Sequence, residues 1–384
     1  MSSWSLLPRV RVNYTLGDLF RSLFISESGH TARNECESHL AHFFDDESVC
    51  LTPSGRDAIY EVLIRKPHKK VVMPAYTCMA VVESVKLAGK EIVYSETDPE
   101  TYNSQYLDKI DADSIVLATH QYGLPCNIKK IADKCSETGA ILIEDCATSM
   151  GTTVDGRITG TFGDYAIVSF NASKLLNVPP CGGLLISKDK EMMERISKEA
   201  EWKDSNLSFK YKSLFRGLVF VLTKNPIIYK LFHYLLIDSK GKLQLTEHEK
   251  PAEKKTDLYK YKFSEWQSTI LLKQLRNIDG IISKRKQMYA YYDKAIENPL
   301  VKKPVNDENA VCCRYAIQVE KRNEFYHKCV KEGVDMDFSH CTLGCPDTFI
   351  NEHQMAEHVL NVPFNTEMTE TEIKHVVSVI NSIQ

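Results

Sequence analysis

The chain of 384 residues carries 48 Lys+Arg against 51 Asp+Glu, a formal net charge of −3, with 43% hydrophobic and 26% charged residues. That length suggests about two domains, and the composition is that of a globular protein able to bury a sizeable core. The near-neutral balance excludes a nucleic-acid binder that relies on an overall basic surface. Met1-Ser2-Ser3-Trp4 runs into Pro8, Arg9 and Arg11 without a charged-then-apolar export pattern, so a cytoplasmic location is expected. The twelve cysteines are scattered and form no C-x-x-C pair. They read as reduced thiols, several packing as small hydrophobes.

From Ser54 to Lys190 short β-branched runs alternate with amphipathic stretches. Val71-Val72-Met73, Ile92-Val93-Tyr94, residues 114–118 and residues 140–143 read as buried strands. A helix over 77–87 ends near Gly89. Another is capped by Asn127, carries Ile128, Ile131, Ala132 and Cys135 on one face, and stops at Gly139. Runs this apolar, joined through helices, predict a mostly parallel sheet covered on both faces, hence an α/β fold. Ligands of such sheets sit beyond the carboxyl ends of the strands. Residues 74–77, 120–123, 144–146 and 169–171 therefore deserve the chemical reading.

Residues 214–237 differ from their surroundings, with two short apolar runs around Lys224-Asn225-Pro226 and basic residues beside them. Neither run reaches the ~20 apolar residues of a spanning helix. Two readings stand: a helical hairpin packed on the body or on a dimer partner, or an interfacial element on an anionic membrane surface. Residues 238–257 read as a polar surface loop. A long helix is expected from Ser264 past Arg285. After it come a helix at 322–332 stopped by Gly333 and a final helix opened by Thr369-x-x-Glu372, with Ile373, Val376, Val377 and Ile380 inward. The division expected is a large domain over 1–260, with an apolar helical insertion at 203–257, and a connecting helix plus smaller α/β domain over 261–384.

The chemistry concentrates in Ile143-Glu144-Asp145-Cys146-Ala147 and Ser169-Phe170-Asn171-Ala172-Ser173-Lys174. An acid ending a buried strand is costly unless it meets a cation. Pyridoxal phosphate would satisfy both groups, forming a Schiff base with the lysine and keeping its ring nitrogen protonated against the carboxylate. A buried structural ion pair is the plainer alternative.

The wider order of motifs decides between them. S-G-x-x-A at Ser54, M-P-A-Y-T at Met73, H-x-Y-G at His120, I-E-D-C-A at Ile143, G-x-F-G-D at Gly160 and S-F-x-x-x-K at Ser169 resemble the DegT/DnrJ/EryC1/StrS sugar aminotransferases. The resemblance continues into Ser264-Glu265-Trp266-Gln267 and the closing helix. It implies a fold-type I pyridoxal-phosphate-dependent transferase with a mostly parallel seven-stranded sheet. It also implies a homodimer with shared active sites, acting on a keto sugar nucleotide with glutamate as amino donor.

Carried over by position, Lys174 holds the cofactor, Asp145 faces the pyridinium nitrogen, and Ser169 with the backbone at Gly55 and Arg56 cradles the phosphate. Tyr76 is the candidate for stacking on the ring, since Cys78 stands where many members have Phe. Arg56 replaces the family's Thr and offers its own phosphate contact. Thr148 replaces a Gln that often touches the ring oxygen. Lys260 and Lys262 replace an Asn and an Arg, and in relatives that Asn reaches the partner subunit's cofactor phosphate. No metal site is expected: His340, Cys341 and Cys345 lack a second ligand pair, and His353 and His358 do not share a helix face. His120 reads as a packing or hydrogen-bonding residue. A sugar dehydratase of the same fold would carry His for Lys174, and a membrane-docked scaffold would have no use for the Lys174/Asp145 pair.

Overall fold

The computed structural model describes residues 5–29, 31–45, 47–236, 260–338 and 343–384. Helices α1 (Leu16–Leu23) and α2 (Thr31–Phe43) precede strand β1 (Ser48–Thr52). Strand–helix alternation then follows the apolar pattern through α3 (Gly55–Arg65), β2 (Lys70–Pro74), α4 (Met79–Leu87), β3 (Glu91–Ser95), β4 (Ser114–Thr119), α5 (Ile128–Thr138) and β5 (Ile141–Asp145). A small hairpin, β6 (Thr153–Val154) and β7 (Arg157–Ile158), leads to β8 (Tyr165–Ser169), β9 (Gly183–Ser187) and α6 (Lys190–Glu199). The seven-stranded sheet has the order β1-β9-β8-β5-β4-β2-β3, and only β9 runs antiparallel to its neighbours.

Successive strand residues feed opposite layers, as the pleat requires. Val71, Met73, Ile115, Leu117 and Ile143 pack with Ile59, Val62 and Leu63 of α3. Val72, Val116, Ala118 and Leu142 pack with Ile128, Ile131 and Cys135 of α5. Gly139 ends α5 in the left-handed region at φ 80°, as expected, while Asn127 occupies the cap position without a side-chain cap bond.

The apolar insertion is a helical hairpin: α7 (Leu207–Leu222) and α8 (Pro226–Leu236), joined through Lys224-Asn225. On α7, Phe209, Ser213, Leu214 and Gly217 face inward. Gly217 is needed there, because a Cβ would lie 3.0 Å from Pro179 and 3.1 Å from Leu19. The loop expected over 238–257 lies outside the described residues. Among those residues no helix is long and apolar enough to cross a membrane.

The single long helix expected from Ser264 is two: α9 (Glu265–Leu275) and α10 (Ile278–Ala295), broken where Asn277 takes φ −123°, ψ 24°. The closing unit comprises β10 (Tyr315–Gln318), α11 (Arg322–Lys331), α12 (Ile350–His358), β11 (Val359–Val362) and α13 (Glu370–Ser382). Thr369 opens α13 with a complete capping box. In space the first described residues belong with this unit, since Leu7 is buried in its core beside Val334.

Asp335 joins the N-terminal segment, the hairpin and the closing unit. Its fully buried carboxylate accepts from Arg9 Nε (2.6 Å) and Nη2 (2.8 Å), from Tyr229 OH (2.6 Å) and from Tyr326 OH (3.0 Å). Burial pushes this carboxyl upward, but Arg9 and His233 outweigh it and hold it well below the usual carboxylate range. Its contribution is therefore complete above the unfolded carboxyl's pKa of about 4 and is lost as the pH falls below that toward the folded value. Asp335→Asn leaves buried Arg9 with only the more distant Asp337, 3.8 Å from Nη1, an expected loss of about 3 kcal/mol in urea unfolding at pH 7. The deficit against the parent should shrink in acid. An equal deficit at pH 3 and pH 7 would refute the assignment.

Candidate active site

Thr119, Asp145 and Ser169 are the last residues of β4, β5 and β8, and each shares the face of Leu117, Ile143 and Ile167. Strand alternation thus aims all three at the side that α3 and α4 cover. A cleft opens there, enclosing about 850 Å³ of non-atom space that is partly open to solvent. Lys174 lines it from the loop after β8, and Gly55 and Arg56 line it from the start of α3. Thr148 and Cys78 are also in its wall.

The cleft has an anionic floor and an anion-accepting end. Asp145 Oδ1 accepts the Ala147 N–H at 3.0 Å, and among the described residues Oδ2 takes no hydrogen bond. Desolvation raises the Asp145 carboxyl above the ordinary value, opposed by the Ala147 N–H and by the Lys174 charge. A buried carboxylate with an open acceptor awaits a cation or an N–H donor. At the other end, the first N–H groups of α3 lack intrahelical partners and carry the positive end of the helix dipole. Ser54 caps α3 by accepting the Asp57 N–H at 3.2 Å. Gly183 keeps this cradle tight, because a Cβ there would sit 2.3 Å from the Ser54 carbonyl carbon. Ser169 closes it from β8, 3.4 Å from where a Cβ on Gly55 would stand.

Arg56 stands at the cleft wall with Nη1 donating to Glu83 Oε2 at 2.6 Å. Glu83 lies on α4 and is buried, so the cation is fixed in place with its charge partly balanced. Thr148 Oγ1 donates to the His120 carbonyl at 2.8 Å, which leaves its hydroxyl only acceptor capacity toward the cleft.

One expected residue lies elsewhere. Tyr76 does not line the cleft; it is fully buried, its OH 2.8 Å from that of Tyr122 and its ring stacked on Tyr102 at 6.2 Å. The chain turns after Pro74, sending Tyr76 toward the closing unit, so that Thr77 and exposed Cys78 face the cleft instead. Lys260, whose expected place is the partner subunit's cofactor phosphate, does not line its own chain's cleft, and its carbonyl accepts the Lys203 N–H at 2.6 Å. Gln121, Asn171 and Cys181 also line the cleft; the first two fall in the strand-end segments 120–123 and 169–171, and the sequence assigns none of the three a role. Gln121 falls within the H-x-Y-G motif, which was the available signal.

Glu144 points to the opposite face from Asp145. Its Oε1 accepts the Phe162 and Gly163 N–H groups at 2.6 and 2.8 Å, and Oε2 accepts Gly160 N–H at 2.9 Å. His120 Nδ1 accepts the Cys126 N–H at 3.2 Å, so Nε2 carries the proton toward Glu144 Oε2, also at 3.2 Å. Together with Cys146 these form the one His/Cys/Asp/Glu group close enough to hold a metal among the described residues. Its oxygens and Nδ1 are occupied with backbone N–H groups, and the cluster ties the G-x-F-G-D loop to the back of β5. His340 and Cys341 lie outside the described residues.

A parallel sheet that presents a lysine, a buried acid and a helix-start cradle at one edge is the architecture of a cofactor-dependent transferase. The profile of the DegT/DnrJ/EryC1/StrS aminotransferase family matches residues 13–381, and the chain belongs to that family. It is 34% identical over 190 residues to the dTDP-4-dehydro-2,3,6-trideoxy-D-glucose 4-aminotransferase of Saccharopolyspora spinosa, covering 47% of this chain and 48% of that protein. The chain spans about half the length of the first curated relatives it matches. Helicobacter pylori PseC, an aminotransferase in pseudoaminic acid biosynthesis, superposes with a TM-score of 0.74 at 12% identity over 98% of both chains. Bacillus subtilis NtdA, solved with bound PMP cofactor, gives 0.71 at 19% identity over 98% of this chain and 84% of that one.

Proposed function

We propose that this protein is a pyridoxal-phosphate-dependent aminotransferase that moves an amino group from glutamate to a nucleotide-linked keto sugar. The observation that carries the reading is the buried Asp145 carboxylate, one oxygen unpaired among the described residues, facing Lys174 across a cleft that ends at the start of α3. Family membership and the relative that acts on a dTDP-linked keto sugar support it. When bound, the cofactor supplies an electron sink for the carbon that gains or loses nitrogen.

The chain's own residues do the rest. Asp145 keeps the proton on the ring nitrogen, and Ser169, Gly55 and Arg56 hold the phosphate. Lys174 anchors the cofactor and, once released, carries the proton at Nζ between substrate carbon and cofactor. Thr148 accepts a hydrogen bond beside the ring, where Cys78 replaces Tyr76 as the candidate contact on the ring face. Lys260 completes the phosphate site of a partner subunit in a homodimer. A cytoplasmic enzyme is the matching location, with the α7–α8 hairpin as its candidate membrane contact.

The test is to incubate the purified protein with pyridoxal phosphate, glutamate and a panel of keto sugar nucleotides. A yellow protein that forms 2-oxoglutarate and an amino sugar nucleotide in equal amounts is expected. A protein that stays colourless after incubation with the cofactor would overturn the proposal.

A further inference from the structure

We propose that the face built by α1, α7 and α8 docks peripherally on an anionic lipid surface. Phe20 of α1 and its C-cap Phe24, Tyr211 and Phe215 of α7, and Ile227 and Leu231 of α8 are each more than half exposed. Each pair is spaced four residues apart, giving one apolar stripe per helix. The opposite faces are already used: Leu19, Leu214 and Tyr229 are buried. The large exposed residues are therefore surplus to the packing of the hairpin. α1 and α7 are fixed side by side by Lys210 Nζ, which donates to the Leu23 and Ile25 carbonyls at 3.2 and 2.8 Å.

Charge selects the occupant. Residues 207–236 contain five Lys/Arg and no Asp or Glu, within a chain of net charge −3; Lys210 and Lys224 are spent inward on the Leu23, Ile25 and Tyr14 carbonyls, and Lys212 is the exposed one. Exposed Lys212 and Arg21 lie on the same two helices as the exposed rings. Aromatic and leucine side chains rimmed by basic residues fit the headgroup boundary of an anionic bilayer. No described helix can span a bilayer, so the contact is peripheral. The inference is independent of the enzymatic reading.

The test is flotation of the purified full-length protein with two vesicle types: pure phosphatidylcholine, and equal parts phosphatidylcholine and phosphatidylglycerol. The parent is expected to float with the anionic vesicles about tenfold more than with the neutral ones, and less in high salt. Phe215→Asp/Leu231→Asp replaces two exposed residues and should stay at the bottom, with unchanged far-UV dichroism and unchanged mass by light scattering. Lys212→Glu should float weakly. A parent that fails to float overturns the proposal, as does a double variant that floats like the parent. A double variant of reduced mass would assign the face to a second copy instead.

Discussion

Lys174→Ala is expected to abolish turnover, with a fall of at least ~10⁴-fold, because in the proposed mechanism one side chain both anchors the cofactor and carries the proton. Lys174 is the one lysine among the residues lining the cleft, so no second amine stands ready to replace it. Its side chain makes no hydrogen bond to a described residue and is half-buried, so stability should change by no more than about 0.5 kcal/mol. The variant should retain cofactor less firmly, since only the phosphate cradle and Asp145 remain to hold it. Added methylamine should restore part of the rate, because a free amine can take over the proton transfer. Lys174→Arg keeps the charge and should stay inactive. Turnover by the alanine variant near the parent's rate would remove Lys174 from the mechanism.

Much of this site was legible because strand ends carry it. Alternation along β4, β5 and β8 is a local property, so it fixes which of Glu144 and Asp145 meets the cleft once the covered faces are known. The glycine stop of α5 and the capping box of α13 are local as well, and both formed where the chain chemistry places them. What failed was set by tertiary path. Tyr76 lies two residues beyond β2, where the pleat no longer dictates direction, and its partners Tyr102 and Tyr122 come from other loops. The break between α9 and α10 is masked because apolar spacing runs through it from Ile270 to Ile278, with no proline to mark it. Glu83 looks like an ordinary surface charge in the sequence, and only the packing of α3 on α4 makes it the partner of Arg56. Asp335 is equally anonymous until Arg9 arrives from the far end of the chain.

The second large effect separates activity from stability at one residue. Asp145→Asn preserves shape, and its side-chain oxygen can still accept the Ala147 N–H. What it removes is the charge that, in the proposed mechanism, holds a proton on the ring nitrogen. An ion pair at ~4 Å in an effective dielectric near 20 is worth roughly 4 kcal/mol. Expressed wholly in the transition state, that is nearly three decades of rate, so a fall of about 10²–10³-fold is expected. Cofactor occupancy should fall far less, since Lys174 and the phosphate cradle are untouched. The stability of the cofactor-free protein should move the other way. Burial raises the Asp145 carboxyl above its unfolded value. The folded parent therefore loses stability as the pH rises from the unfolded carboxyl's pKa of about 4 through that raised value. The asparagine variant has no such titration. Without cofactor it should be more stable than the parent at pH 7, with the difference closing as the pH is lowered. Urea unfolding of both proteins at pH 4 and pH 7, set beside their turnover rates, measures the split. An asparagine variant within a few-fold of parental activity would show that the carboxylate does not serve the ring nitrogen. One that is less stable than the parent at pH 7 would show that Asp145 is a structural acid rather than a group held ready for a ligand.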